Sequence, residues 1–333
     1  MPKVAIIGNT TWGNTLATLL SDKEIPVKLW TRSEAETEEL NKGTHSYSPT
    51  HDIKEALDGA DLVIWAVPSQ KLRQNVVLAT HYLTKPVLLV NAAKGLEVDS
   101  GKRMSQVIAE EVPTTLRGGI CVLSGPNLAN EITRGLPAAS VIASQDIAVA
   151  ERARELIESH NFVLSTSDDI IGVDLGGAFK NIVALGAGMM DGLDLGDNAK
   201  AAFITWNWTE LVSLGSALGA KVSTFYGLAG LGDLIATCAS DFSRNHYVGY
   251  EIARGRSLSE LHASMSQIAE GVYTTMAAHR LTQEIKIELP ITNILYSILF
   301  RDLSVKEAKT ALRRLAENHY QPSLHASNGL PAR

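Results

Sequence analysis

The sequence predicts an α/β fold in two parts: a doubly wound, mostly parallel sheet, then an all-α C-terminal half. Two patterns carry the prediction. In the first half, short apolar runs rich in β-branched residues, "VAIIG", "VKLWT", "LVIWAV", "VLLVNAAKG", "ICVLSGP", "ASVIAS" and "FVLST", recur between segments of helical spacing such as "SQKLRQNVVLATHYL" and "DIAVAERARELIESH". Continuous apolar strands alternating with helices imply a parallel sheet covered on both faces. In the second half, after Asp168, strand signals fade, and "DDIIGVDLGGAFKNIVALGAGMM" and "AKAAFITWNWTELVSLGSALG" are apolar at helical spacing.

A length of 333 residues suits two domains, and the change of pattern puts them at 1–165 and 166–333. Within the helical half, "SLSELHA" and "SVKEAKTALRRLAE" each open on Ser and carry Glu three positions later. That is the capping-box signature of a helix start. The tail after Gln321, with Pro, Ser, Asn and Gly, reads as a frayed end.

Composition narrows the function classes. Apolar residues make up 45% of the chain and charged residues 20%, as in an ordinary globular protein, and the net charge of −6 offers no long basic surface to nucleic acid. A local basic pocket for a small phosphorylated ligand remains compatible with that sign. Cys121 and Cys238 stand far apart without CxxC spacing, which argues against a disulfide framework or a cysteine zinc site. The nine histidines show no HExxH-type spacing, so no metal is expected. The start "MPKVAIIGN" turns polar too early for a signal peptide, and no apolar run reaches the roughly 20 residues of a membrane span. The expectation is a reduced, cytoplasmic protein without membrane insertion. The apolar helical half is compatible with a homodimer, with no surface assigned.

The first strand runs into "GNTTWGNTLA", with Gly8 and Gly13 bracketing a turn and Leu16, Leu19 and Leu20 supplying a helix packing face. This is the Rossmann-type strand–turn–helix, whose helix N-terminus presents N–H groups and a partial positive charge to a dinucleotide pyrophosphate. Thr10 stands where the middle glycine of G-x-G-x-x-G lets the backbone approach the phosphates. Threonine is small and its hydroxyl can donate to a phosphate oxygen. The expectation is a working cradle, its loop shifted slightly outward and the cofactor held less tightly.

The second strand ends in Thr31 and Arg32 without an acid at its tip. An NAD site usually has Asp or Glu there for the ribose hydroxyls, whereas a guanidinium pairs with a 2′-phosphate, so the bias is toward NADPH over NADH. The plainer alternative is that Arg32 opens a solvated helix, with Glu34 a displaced ribose acceptor. Lys94 follows the "VLLVNAA" strand, and Gly125, Pro126 and Asn127 follow "ICVLS". Ligands collect beyond the carboxyl ends of strands in open α/β sheets. Pro126 at a first helical turn would make a second donor-rich helix N-terminus there.

In the second half, Lys180 and Asn181 lie in a helix of small and apolar residues, where a lysine either snorkels outward or is a buried functional amine. "GLAGLGDLIATC" brings three glycines before Asp233, and Ser243, Arg244 and Asn245 stand together further on. Arg plus Asn suits a phosphate, a charged fork beside a neutral amide donor. Singly, each could be a surface ion pair or a helix cap.

The segments "GNTTWGNTLA", "NAAKGLE", "LSGPNLANEITRGLP", "IGVDLGGAFKNIVALGAGMMDGL", "GLAGLGDLIATC", "SRN" and "QIAEGVYTT", in order along almost the whole chain, resemble the bacterial NAD(P)-dependent glycerol-3-phosphate dehydrogenases. The GGAxKN and GLGDL segments are the specific part. The resemblance implies reversible hydride transfer between NAD(P)H and dihydroxyacetone phosphate, giving sn-glycerol 3-phosphate. Carried over by position, Lys180 is the acid/base with Asp233 beside it. Lys94, Gly125, Asn127, Asn181, Asp233, Thr237, Ser243, Arg244 and Asn245 surround the substrate. Gly8, Thr10, Thr11, Trp12, Gly13, Arg32, Lys94, Ala129, Arg244, Ile268 and Glu270 hold the NADP or NAD cofactor. Thr10 is the departure from the pattern.

Chemistry agrees with that implication. Ketone reduction needs a proton at the carbonyl oxygen as hydride reaches carbon, and a positioned ammonium supplies it while stabilising the developing alkoxide. Lys94, if close, would favour loss of the Lys180 proton and Asp233 its retention. Two rivals stay open at this point. One is a β-hydroxyacid or 6-phosphogluconate type dehydrogenase, in which the catalytic lysine and asparagine stand several residues apart rather than adjacent. The other is a non-catalytic dinucleotide sensor, against which the retention of Lys180, Asp233 and Arg244 speaks.

Overall fold

The apolar runs of the first half do become strands of one sheet. In the computed structural model, which describes residues 1–240, 243–265, 269–318, 320 and 322, the strands are β1 Val4–Ile7, β2 Val27–Trp30, β3 Ser48–Thr50, β4 Leu62–Trp65, β5 Leu88–Asn91, β6 Ile120–Ser124, β7 Ala138–Ala143 and β8 Phe162–Ser167. Their order is β3-β2-β1-β4-β5-β6-β7-β8. All neighbours pair in parallel except β6 and β7. β1 and β4 are buried at every position, as continuous β-branched runs require when helices cover both faces. β3 escaped the sequence reading, because "SPT" is three residues long and carries Pro49, which suits only an edge strand.

Two compact units result: residues 1–94 with 102–174, and residues 95–101 with 175 onward. In the first, the helices are α1 Thr11–Ser21, α2 Glu34–Asn41, α3 Ile53–Leu57, α4 Leu72–Thr80, α5 Met104–Glu111, α6 Ala129–Thr133 and α7 Ile147–Ile157. Its core gathers Ile6, Leu29, Ile64 and Val90 from the strands with Leu16, Leu20 and Ile157 from the helices, while Leu19 packs at its margin. The strand order reverses at β1, which lies between β2 and β4. In open α/β sheets that reversal makes the crevice where ligands bind.

The later helices are α8 Ile170–Gly192, α9 Gly196–Ala217, α10 Asp233–Ala239, α11 Arg244–Ala253, α12 Leu258–Ser264, α13 Glu270–Ile285, α14 Pro290–Phe300 and α15 Val305–Glu317. α8 begins in the first unit and continues in the second. It is apolar and long enough to cross a membrane by composition, but 94% of its apolar window is buried, as a core helix must be. Phe179 of α8 stacks with Phe225, which meets Trp208 of α9 edge-on. Ser257 and Ser304 form reciprocal capping boxes with Glu260 and Glu307, as their spacing foretold. The tail expected to fray lies, apart from Pro322, outside the described residues.

Candidate active site

The first unit places its candidate residues beyond the carboxyl ends of β1, β2, β5 and β6. Gly8 turns the chain with φ of +124°, a conformation that L side chains rarely adopt, and an added Cβ would meet the Ala66 carbonyl oxygen at 2.6 Å. Thr10 follows in extended conformation, φ −115° and ψ 164°, as the N-cap of α1. Its Oγ1 accepts from the Gly13 N–H at 3.0 Å and donates to the Ala66 carbonyl at 2.7 Å. The hydroxyl proton thus goes to the end of β4, a partner that the expectation of a phosphate contact did not include, and the side chain turns inward to the sheet. Nothing in this geometry calls for a loop pushed outward.

Thr11 and Trp12 form the first turn of α1, Thr11 exposed and Trp12 half-buried with its ring edge-on to Phe162. The Trp12 indole Nε1 is buried with no hydrogen-bond partner among the described residues. These features fit a dinucleotide: a sharp turn at a strand end, an eleven-residue helix whose N-terminus opens on it, and an orphaned indole donor alongside. The residues that would hold it there are Gly8, Thr11, Trp12 and Gly13.

Arg32 lies at the tip of β2 with its side chain 78% exposed, its Nη2 paired with Glu36 Oε1 at 2.9 Å. Ser33, not Arg32, caps α2. Lys94 is half-buried and donates from Nζ to the Gly125 carbonyl at 2.8 Å. The helix start expected at Pro126 does not form. The Asn127 Oδ1 accepts from Ser140 of β7 at 2.5 Å, which holds this segment beside the strand. α6 starts only at Ala129, runs five residues and has no side-chain cap.

Sequence reasoning missed a buried polar cluster in this unit. Asp174 Oδ2 accepts from both the backbone N–H (2.8 Å) and the hydroxyl (2.6 Å) of Ser105, and its Oδ1 accepts from Asn91 Nδ2 at 3.4 Å. Burial pushes the Asp174 carboxyl above the usual carboxylate range, against the pull of Arg103 and Ser105. The signal was present in "IIGVDLGG", a lone carboxylate inside an apolar helical run.

In the second unit Lys180 is a buried amine. Its Nζ donates to Thr237 Oγ1 at 2.7 Å and pairs with Asp233 Oδ1 at 3.0 Å, and Thr237 Oγ1 in turn donates to Asp233 at 3.3 Å. α8 brings the lysine, and α10 brings Asp233 and Thr237 on one face, four residues apart. A single π-helical turn, Leu228–Gly232, leads into Asp233. Such turns are frequent at functional sites, and the glycine-rich "GLAGLG" gave only its composition in advance. Burial pushes the thiol of neighbouring Cys238 up to about 12, above the range of a thiolate at neutral pH.

Ser243 caps α11, accepting from the His246 N–H at 3.3 Å, and Arg244 is exposed in the first turn. The Asn245 amide is engaged on both atoms, its Nδ2 donating to Asn181 Oδ1 and its Oδ1 accepting from the Gly271 N–H, each at 2.8 Å. Glu270 is the first residue of α13 and bears electrostatically on Arg244. Ile268 lies outside the described residues.

Comparison with known proteins decides the family. Residues 3–150 match the N-terminal, and residues 169–310 the C-terminal, domain of NAD-dependent glycerol-3-phosphate dehydrogenase. The chain belongs to the NAD-dependent glycerol-3-phosphate dehydrogenase family. It is 49% identical over 332 residues to glycerol-3-phosphate dehydrogenase [NAD(P)+] of Dehalococcoides mccartyi, covering 96% of this chain and 92% of that one. It is 41% identical to the enzyme of that name from Lactiplantibacillus plantarum, over 94% and 97% of the two chains. Among solved structures, glycerol-3-phosphate dehydrogenase from Coxiella burnetii superposes with a TM-score of 0.87 at 32% identity, covering 95% and 99%. The resemblance drawn from the motifs is therefore right, and with it the oxidoreductase class, the NAD or NADP cofactor and the Rossmann-plus-helical architecture. The family acts on a small phosphorylated substrate.

Proposed function

We propose that this chain catalyses the reversible NAD(P)H-dependent reduction of dihydroxyacetone phosphate to sn-glycerol 3-phosphate, supplying the glycerophospholipid backbone. The observation that carries the reading is the buried Lys180 ammonium, held by Asp233 and Thr237 in the segments most specific to the family. The nicotinamide, when bound, supplies the hydride. Lys180 gives its proton to the substrate carbonyl oxygen and takes it back in the reverse direction. Asp233 pairs with the ammonium and Thr237 accepts one of its N–H bonds, which together fix the direction of the amine. Arg244 forms charge-assisted bonds to the substrate phosphate, and that anchor sets the carbonyl against the proton donor. Lys94, Gly125 and Asn127 complete the substrate contacts taken from the family pattern.

The first turn of α1 receives the pyrophosphate, and Arg32 favours the 2′-phosphate of NADPH. The same reading puts the reaction in the cytoplasm, consistent with two free cysteines, and admits a homodimer. Loss of nicotinamide absorbance with dihydroxyacetone phosphate, using NADPH and NADH in turn, tests the assignment. Binding of NADPH without turnover at any substrate concentration would favour a dinucleotide sensor.

A further inference from the structure

Three residues of the second unit share a placement: Asn181, Asn245 and Gly271 each directly follow a residue of the proposed site, Lys180, Arg244 and Glu270. They are also hydrogen-bonded to one another in series. Asn245 Nδ2 donates to Asn181 Oδ1, and the Gly271 N–H donates to Asn245 Oδ1. Both asparagines are buried, at 4% and 8% exposure, so a broken link would strand an amide away from water. The series joins α8, α11 and the start of α13.

The end of the chain at Gly271 is unusual in a telling way. α13 begins behind Ala269, which has no side chain able to cap it. Asn245, from another helix, takes over that task by accepting an N–H of the first turn. Contact at this point is close enough to require glycine, because a Cβ on Gly271 would lie 2.4 Å from the Asn181 carbonyl oxygen and 3.0 Å from Asn245 Oδ1. An amide is also the side chain this place needs: it must donate to one neighbour and accept from the other, which neither a carboxylate nor an ammonium does.

We infer that Asn181, Asn245 and Gly271 form a positioning relay that sets the mutual register of Lys180, Arg244 and Glu270. The inference rests on the proposed dehydrogenase reading. It gives Asn245 a task other than the phosphate contact its place beside Arg244 suggests. The relay touches no reacting atom. It holds the helix that delivers the proton, the helix that anchors the phosphate and the start of α13 in one arrangement, where a displacement of about 1 Å can cost on the order of 100-fold in rate.

The test is a double-mutant cycle on the full chain with Asn181→Ala, Gly271→Ala and the pair, reading kcat and KM for dihydroxyacetone phosphate, NADPH affinity by fluorescence and thermal midpoint. Each single variant should lose about 10- to 100-fold in kcat at a temperature where it is fully folded. The pair should lose no more than the worse single variant, because one relay is broken either way. Asn181→Asp, which keeps the acceptor for Asn245, should recover most of what Asn181→Ala loses, and this comparison serves alone if Gly271→Ala does not fold. Lowered thermal midpoints with kcat unchanged, losses that multiply in the pair, or Asn181→Asp as poor as Asn181→Ala would each overturn the relay. Wild-type protein that binds NADPH but does not turn over dihydroxyacetone phosphate would instead overturn the dehydrogenase reading beneath it.

Discussion

The Thr10 hydroxyl donates a 2.7 Å hydrogen bond to the carbonyl of Ala66, joining the turn after β1 to the end of β4. These two strands flank the crevice of the sheet, and the same oxygen caps α1 through the Gly13 N–H. Thr10→Val, which keeps the shape and removes both bonds, should lower stability by about 1–2 kcal/mol and weaken NADPH binding. Thr10→Ser should stay close to wild type. Thr10→Gly should bind no better than wild type, since residue 10 occupies a conformation open to any residue and its side chain is turned inward. Denaturant unfolding and calorimetric titration with NADPH read both effects; tighter binding by Thr10→Gly would restore the view that the threonine obstructs the phosphates.

Lys180→Ala should lower kcat about 10²–10⁴-fold with little change in NADPH affinity, the range expected for loss of a positioned acid/base. It should also destabilise the protein by up to about 3–5 kcal/mol, because Asp233 is left buried without its cation. Lys180→Ala with Asp233→Ala should regain part of that stability and none of the activity. Recovery of both together would mean the pair serves folding alone.

Arg244→Ala should cost about 1.5–3 kcal/mol in kcat/KM for dihydroxyacetone phosphate, the worth of a charge-assisted bond. Unphosphorylated dihydroxyacetone, poor with either protein, should be handled equally by both. Equal losses on the two compounds would remove Arg244 from the phosphate site.

Cofactor preference should follow the exposed Arg32–Glu36 pair. Arg32→Ala should raise KM for NADPH more than for NADH. Glu36→Gln removes the competing carboxylate and should lower KM for NADPH alone. The effects are modest by nature, since exposed pairs are worth about 0.2–1 kcal/mol. Parallel shifts for both cofactors would make Arg32 a helix-start residue only.

Stability should fall with rising pH just above the ordinary carboxylate range. Burial holds the Asp174 carboxyl above that range in the native state, so across this window the native chain binds more protons than the unfolded chain. Asp174→Asn should flatten this part of the profile, measured by urea unfolding between about pH 4 and 7. An unchanged slope would show that Asp174 titrates alike in both states. Glu210 is shifted in the same direction by burial and adds to the same slope.

What the sequence determined by itself is whatever is written in local periodicity and spacing. Seven of the eight strands announced themselves as apolar runs, the capping boxes at Ser257 and Ser304 as a Ser and a Glu three apart, and Lys180 as an amine out of place in an apolar helix. Each depends on neighbours within one or two turns, so each survives without knowledge of the fold.

The tertiary structure decided which polar atom meets which. Thr10 was legible as a departure from a glycine pattern, but its partner Ala66 is 56 residues away, and only the pairing of β1 with β4 brings them together. Asn245 was legible as an amide beside an arginine, yet its partners lie 64 and 26 residues off, at Asn181 and Gly271. α13 and α14 start behind Ala269 and Leu289, which cannot cap, and receive their acceptors from Asn245 and from Glu210 on other helices. A buried N–H must find an acceptor, and any element packed against it can supply one. That demand is local and visible in the sequence, while the residue that meets it is fixed only when distant segments fold against each other.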